Sequence, residues 1–205
     1  MVTLKERVDP KNTALLVVDV QNDFCASDGG LGRRVGDMSR IQAIIPDLLN
    51  LIAAARENGV AVVFIRTTHD GWTNSDSWLE RRKDVSVEEV PICQEGSWGA
   101  ELYRVEPEPG DKVITKHRYS AFYGTDLDVV LRAKGIKSLL MTGVATNVCV
   151  ETTARDGFMR DYRIVFVDNC CGTAAAEDQQ ATLRNIRNHF GVVVTSQEVI
   201  EAWGK

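Results

Sequence analysis

Apolar runs alternate with amphipathic stretches along the whole chain. Six short, mostly apolar runs read as strands: Ala14–Val20, Val60–Ile65, Lys112–Thr115, Ser138–Thr142, Arg163–Val167 and Val192–Thr195. Helical periodicity predicts helices over Met38–Glu57, Thr125–Lys134, Val148–Arg160 and Ala176–His189, with a last short one near Ser196. Asn58-Gly59 is a good stop for the first helix, Thr125 an N-cap for the second, and Gly135 closes it. Continuously apolar strands separated by helices mean a parallel sheet covered on both faces, an α/β fold. Such sheets bind ligands at the carboxyl ends of their strands, beside a topological switch point.

One stretch breaks the alternation. Thr67–Gly110 is long for a connection in a compact domain, and irregular insertions of that length often serve as lids or binding loops. It carries Trp72, Trp78 and Trp98. Local packing or a subunit contact explains any one of these tryptophans at least as well as substrate contact. The run Arg81-Arg82-Lys83 in the same stretch reads as a solvated helix face.

Size and composition narrow the function classes. The 205 residues suit a single domain over residues 1–205, with the irregular insertion near 67–110. A net charge of −5, with no basic stripe interleaved with aromatics, argues against a nucleic-acid partner. The polar N-terminus MVTLKERVDPKNT lacks a signal-peptide core, and no apolar run approaches a membrane span. A cytoplasmic protein with no membrane partner is expected, assembled as a homo-oligomer of two or four copies. Cys25, Cys93, Cys149, Cys170 and Cys171 are scattered, form no C-x-x-C pair, and read as reduced thiols. His69, His117 and His189 share no ligand-like spacing.

Three strand ends offer reactive groups. The first strand runs out through Val17-Val18-Asp19-Val20-Gln21-Asn22-Asp23-Phe24, the third ends Ile114-Thr115-Lys116, and the fourth leads through Gly143-Val144 to Cys149. A cysteine at the start of a helix feels the positive end of the helix dipole, which favours thiolate. Backbone N–H groups in the Gly143–Cys149 turn are free to take an oxyanion. Cys149 can attack a carbonyl, Asp19 can relay the proton, and the Lys116 ammonium can hold down the pKa of both. No histidine is placed as the base. Alone, each residue has an ordinary structural explanation; together at strand ends they form a coherent nucleophilic set.

VVDVQNDF, ITKHRYSAFYGTDLDVVLRAKGI and GVATNVCVETTARDGF, in this order, resemble the isochorismatase-like cysteine hydrolase superfamily over nearly the whole chain. The resemblance implies a Rossmann-like three-layer α/β/α fold with a six-stranded parallel sheet. It puts the family's catalytic triad on Asp19, Lys116 and Cys149. It also implies a cis peptide at Val144-Ala145, with the Ala145 and Cys149 amides as oxyanion-hole donors.

Departures narrow the substrate. Isochorismatases proper have no cysteine at the nucleophile position, so Cys149 argues for acyl chemistry. Nicotinamidases carry an Asp-Trp-His metal motif where this chain reads Arg66-Thr67-Thr68-His69-Asp70-Gly71-Trp72, so no metal and no cofactor are expected. Gly96-Ser97-Trp98 and the run Arg118–Phe122 look most like the ureidoacrylate, N-carbamoylsarcosine and biuret amidohydrolase branch. The expected partner is then a small ureido, carbamoyl or amide substrate, cleaved through a covalent thioester with ammonia released. Asn22, Phe24, Trp98, Tyr119 and Val144 are candidates for the pocket wall, with core packing a rival role for Phe24 and Tyr119. The alternatives are a nicotinamidase-type or other small-amide hydrolase, and a non-catalytic member acting in assembly or binding.

Overall fold

The computed structural model describes residues 2–81 and 92–204. Six strands form one sheet: β1 (Thr13–Val18), β2 (Ala61–Thr67), β3 (Lys112–Lys116), β4 (Ser138–Val144), β5 (Arg163–Gly172) and β6 (Gly191–Val194). All neighbours pair in parallel, in the order β3-β2-β1-β4-β5-β6. The chain builds outward from β1 in one direction, then restarts at β4 and builds outward in the other. The boundary between β1 and β4 is therefore the switch point at which α/β sheets open a crevice.

The described helices are α1 (Leu4–Arg7), α2 (Asn22–Cys25), α3 (Gly30–Val35), α4 (Ser39–Gln42), α5 (Ile45–Glu57), α6 (Asp76–Glu80), α7 (Leu127–Ala133), α8 (Glu151–Met159), α9 (Ala176–Asn185) and α10 (Ser196–Trp203). Alternating side chains of the strands feed two cores, as a sheet covered on both faces requires. Leu15, Val17 and Leu140 pack under α5 and α10 with Leu48, Leu51 and Trp203. Leu16, Val18 and Met141 pack on the other face with Leu131, Ala154 and Leu183 from α7, α8 and α9. The three-layer α/β/α architecture with a six-stranded parallel sheet is as expected. No described helix is long and apolar enough to cross a membrane.

Several boundaries differ from the sequence reading. The helix expected over Met38–Glu57 is two helices, α4 and α5, with Pro46 in the first turn of α5. Proline has no N–H for the preceding turn and its ring crowds the carbonyl four residues back, but it suits a helix start. The helix expected from Val148 begins with a π-helical turn, Thr146–Val150, and α9 gives way to another, Ile186–Phe190. Asp126 occupies the cap position of α7, while the neighbouring Thr125 hydroxyl accepts the Leu127 amide at 3.2 Å. The insertion carries α6 and a 3-10 turn at Trp98–Ala100. Arg82 and Lys83, expected on a solvated helix face, lie outside the described residues.

Candidate active site

β1 ends at Val18, and Asp19 adopts a left-handed backbone, φ 51°. Few non-glycine residues do so, and aspartate is among those that tolerate it. The Asp19 amide donates to Ile65 O at 2.8 Å, so β2 holds the turn in place. Three polar side chains that follow, those of Gln21, Asn22 and Asp23, fasten the insertion. Gln21 Nε2 donates to Thr67 O (2.9 Å) and Ala100 O (2.8 Å), and Asn22 Nδ2 donates to Trp98 O (2.8 Å). The Asp23 carboxylate accepts the amides of Gly30 (2.7 Å) and Cys93 (2.6 Å).

On the other side of the switch point, Gly143 has φ 109°, and a Cβ there would lie 2.0 Å from Val18 O. Only glycine lets β4 close on β1 at this point. The Val144–Ala145 peptide is cis. The carbonyl of Ala145 then accepts the amides of Val148 (3.0 Å) and Val150 (3.3 Å), two bonds that bracket Cys149 without using its N–H.

Lys116, at the end of β3, joins these ends. Its ammonium donates to Asp19 Oδ2 (2.7 Å), Arg118 O (3.0 Å) and Cys149 Sγ (3.6 Å), which accounts for its three N–H groups. Asp19 is 0% exposed, Lys116 1% and Cys149 7%. Asp19 Oδ1 is buried with no hydrogen-bond partner. The three strand-end residues thus meet in one enclosed group.

Burial dominates their protonation. It pushes the Cys149 thiol well above its ordinary range, although Lys116 pulls it down. Burial likewise raises Asp19 against the opposing pull of Lys116. For Lys116 burial works to lower the pKa, but Asp19 and Cys149 together outweigh it and the ammonium is held. Burial thus works against the thiolate that the helix start and the lysine favour.

The candidate wall residues divide. Asn22 and Trp98 meet through their hydrogen bond beside the turn after β1, with Trp98 half-exposed. Tyr119 packs against the core cluster that contains Cys149, and its ring lies 5.0 Å from that of Trp78. Val144 is fully buried in the cluster under α5, and Phe24 packs against the same cluster.

Other residues stand close to the site. Trp78 of α6 stacks near His69 (5.2 Å), and the Arg81 guanidinium lies 3.6 Å over its ring and donates to the Tyr119 hydroxyl at 3.0 Å. Arg81, expected on a solvated face, is exposed but committed to this stack. The hydrophobic pattern carries no trace of the stack, because its parts come from segments about 40 residues apart. Of the other insertion tryptophans, Trp72 is 96% exposed.

The segment that carries the metal motif in nicotinamidases does not fit a cation here. Burial lowers the His69 pKa to about 4, helped by Arg81, Lys116, His117 and Arg118, a positive surrounding that opposes a metal ion. The Asp70 carboxylate accepts the Trp72 and Thr73 amides and the Thr73 hydroxyl. Among the described residues no group of three or more His, Cys, Asp or Glu could hold a metal.

Residues 13–198 match the Isochorismatase domain family. The chain belongs to that family. Among relatives of this isochorismatase-family protein, ureidoacrylate amidohydrolase RutB of Methylobacterium radiotolerans is 38% identical over 199 residues, covering 91% of this chain and 77% of the relative. A cysteine hydrolase from Pseudomonas syringae pv. phaseolicola superposes with a TM-score of 0.85 at 30% identity, covering 97% of this chain and 95% of its own. Nicotinamidase/pyrazinamidase PncA of Bacillus subtilis gives 0.78 at 31% identity, covering 89% and 99%. N-carbamoylsarcosine amidase of Thermoplasma acidophilum gives 0.74 at 28%, covering 90% and 96%. Shape alone thus places the family fold near both amidase branches, and local chemistry must separate them.

Proposed function

We propose that this protein is a cysteine-dependent amidohydrolase that cleaves a C–N bond of a small ureide or N-carbamoyl compound. The observation that carries the reading is the Lys116 ammonium bonded to both Asp19 and Cys149 in an enclosed site. Similarity to RutB favours a ureide, and the segment Arg66–Trp72 disfavours the nicotinamidase alternative.

The chemistry follows from the burial. Because burial favours the protonated sulfur, attack is coupled to proton transfer. Asp19, a stronger base than a solvated carboxylate because burial raises its pKa, takes the thiol proton on its unpartnered Oδ1. Cys149 Sγ bonds to the substrate carbonyl carbon, and the oxygen takes up the electron pair. The Ala145 and Cys149 amides receive that charge; one such donor is typically worth a hundredfold or more in rate. The C–N bond then breaks, Asp19 gives its proton to the departing nitrogen, and ammonia leaves. Water attacks the carbamoyl thioester and passes a proton to Asp19, the C–S bond breaks, and the proton returns to sulfur. A ureide thereby yields ammonia and a carbamic acid.

Ammonia release from ureidoacrylate, biuret, N-carbamoylsarcosine and nicotinamide tests the reading. Turnover of at least one of the three ureides is expected. Inert ureides with efficient nicotinamide turnover overturn the substrate class.

A further inference from the structure

Next to the buried lysine lies a cluster of positive charge that the C–N chemistry does not use. Trp78 is its centre. The Arg81 guanidinium sits 3.6 Å over the indole and that of Arg118 at 4.9 Å, both in cation–π range. Arg81 is tied to the Tyr119 hydroxyl. Arg118 is tied to Thr73 O (2.9 Å) and His117 O (2.7 Å), and its own carbonyl accepts from Lys116 Nζ at 3.0 Å. The cluster is therefore joined to the reacting group through the backbone of one residue.

Two features point to a missing anion. Among the described residues, no carboxylate forms an ion pair with Arg81 or Arg118. His69 lies in the same surroundings: it stacks on Trp78, its Nδ1 is buried without a partner, and burial, joined by the cations around it, favours its neutral form. Guanidinium groups are planar forks that match a carboxylate, and their contacts with neutral carbonyl oxygens fix them without neutralising them.

We infer that Arg81 and Arg118, held over Trp78, form a subsite for a carboxylate on the substrate. Resting on the amidohydrolase reading above, this narrows the substrate to an acid bearing a ureide, and sets aside neutral compounds such as biuret. The carboxylate lies against the insertion and the carbamoyl carbon reaches Cys149. Arg81 and Arg118 then determine specificity and take no part in bond making.

The test compares ureidoacrylate with its methyl ester in wild type, Arg81→Met and Arg81→Lys. Wild type favours the acid in kcat/KM by about tenfold or more, and the preference shrinks as salt is raised. Arg81→Met lowers the acid-to-ester ratio about tenfold, through KM more than kcat, and Arg81→Lys restores part of it. An acid-to-ester ratio near one in wild type, or unchanged in Arg81→Met, overturns the subsite. Calorimetric titration of ureidoacrylate into Cys149→Ala, with and without Arg81→Met, separates this from the parent reading. If no ureide yields ammonia, the parent reading fails, while binding still decides the subsite: tenfold weaker binding with Arg81→Met supports it, and equal binding overturns it.

Discussion

Replacing Gly99 by alanine should unfasten the insertion from the sheet. A Cβ at Gly99 would lie 2.0 Å from Asp23 Oδ2, 2.3 Å from Cγ and 2.6 Å from Oδ1, far inside contact distance. The carboxylate cannot swing aside freely, because it is buried and accepts the amides of Gly30 and Cys93 at 2.7 and 2.6 Å. Displacing it breaks two hydrogen bonds to a charged acceptor, each worth roughly 1.5–3 kcal/mol. The expected loss is therefore about 3–6 kcal/mol, less whatever the backbone recovers by shifting. Asp23→Asn keeps one acceptor oxygen and turns an N–H toward the other donor, so it should lose roughly half as much. Both changes act on the same bonds, so the double variant should fall well short of their sum. Urea unfolding of the four proteins measures these values, and hydrogen exchange at the Gly30 and Cys93 amides locates them. A Gly99→Ala protein within about 1 kcal/mol of wild type, with both amides still protected, would refute the reasoning.

Lys116→Met should raise the pH midpoint of Cys149 alkylation by about one unit or more. At an effective dielectric near 20, a charge 3.6 Å away is worth roughly 4–5 kcal/mol, partly offset as Asp19 takes up a proton. An unchanged alkylation profile contradicts the electrostatic role of the lysine. Alkaline pH should destabilise the fold, because burial raises Cys25 and Cys170 to about 12 and Cys93, Cys149 and Cys171 beyond ordinary values. A thiol whose folded pKa is raised contributes stability that is fully present below its unfolded value and is lost as pH climbs toward its folded one. Each thiol then costs about 1.4 kcal/mol per pH unit between roughly 9 and 12. Equal stability at pH 8 and 10.5 in reducing buffer contradicts this. Prolonged chelation should leave activity intact, given the cationic surroundings of His69; loss of activity that returns with a metal contradicts that reading.

The sheet and the group at its carboxyl ends were legible because buried parallel strands leave near-continuous apolar runs. Asp19, Lys116 and Cys149 stand where those runs give way to loop. What the pattern did not carry depends on contacts between distant segments. Gln21, Asn22 and Asp23 look like ordinary loop residues, yet each bonds a residue of the insertion 70 or more positions away. Arg81 looks like surface charge until Tyr119 and Trp78 are brought beneath it. The burial that opposes a Cys149 thiolate was hidden for a related reason. The helix start and the lysine are visible in the sequence, but the desolvation that opposes them arises only when three strand ends close on one another.

Mass spectrometry of the acid-quenched enzyme during turnover of ureidoacrylate tests the central claim most directly. A carbamoyl adduct, the substrate less ammonia, is expected on the peptide containing Cys149 and on no other cysteine. Cys149→Ala, folded by circular dichroism, should release no ammonia. Ammonia released at near wild-type rate by Cys149→Ala would contradict the account.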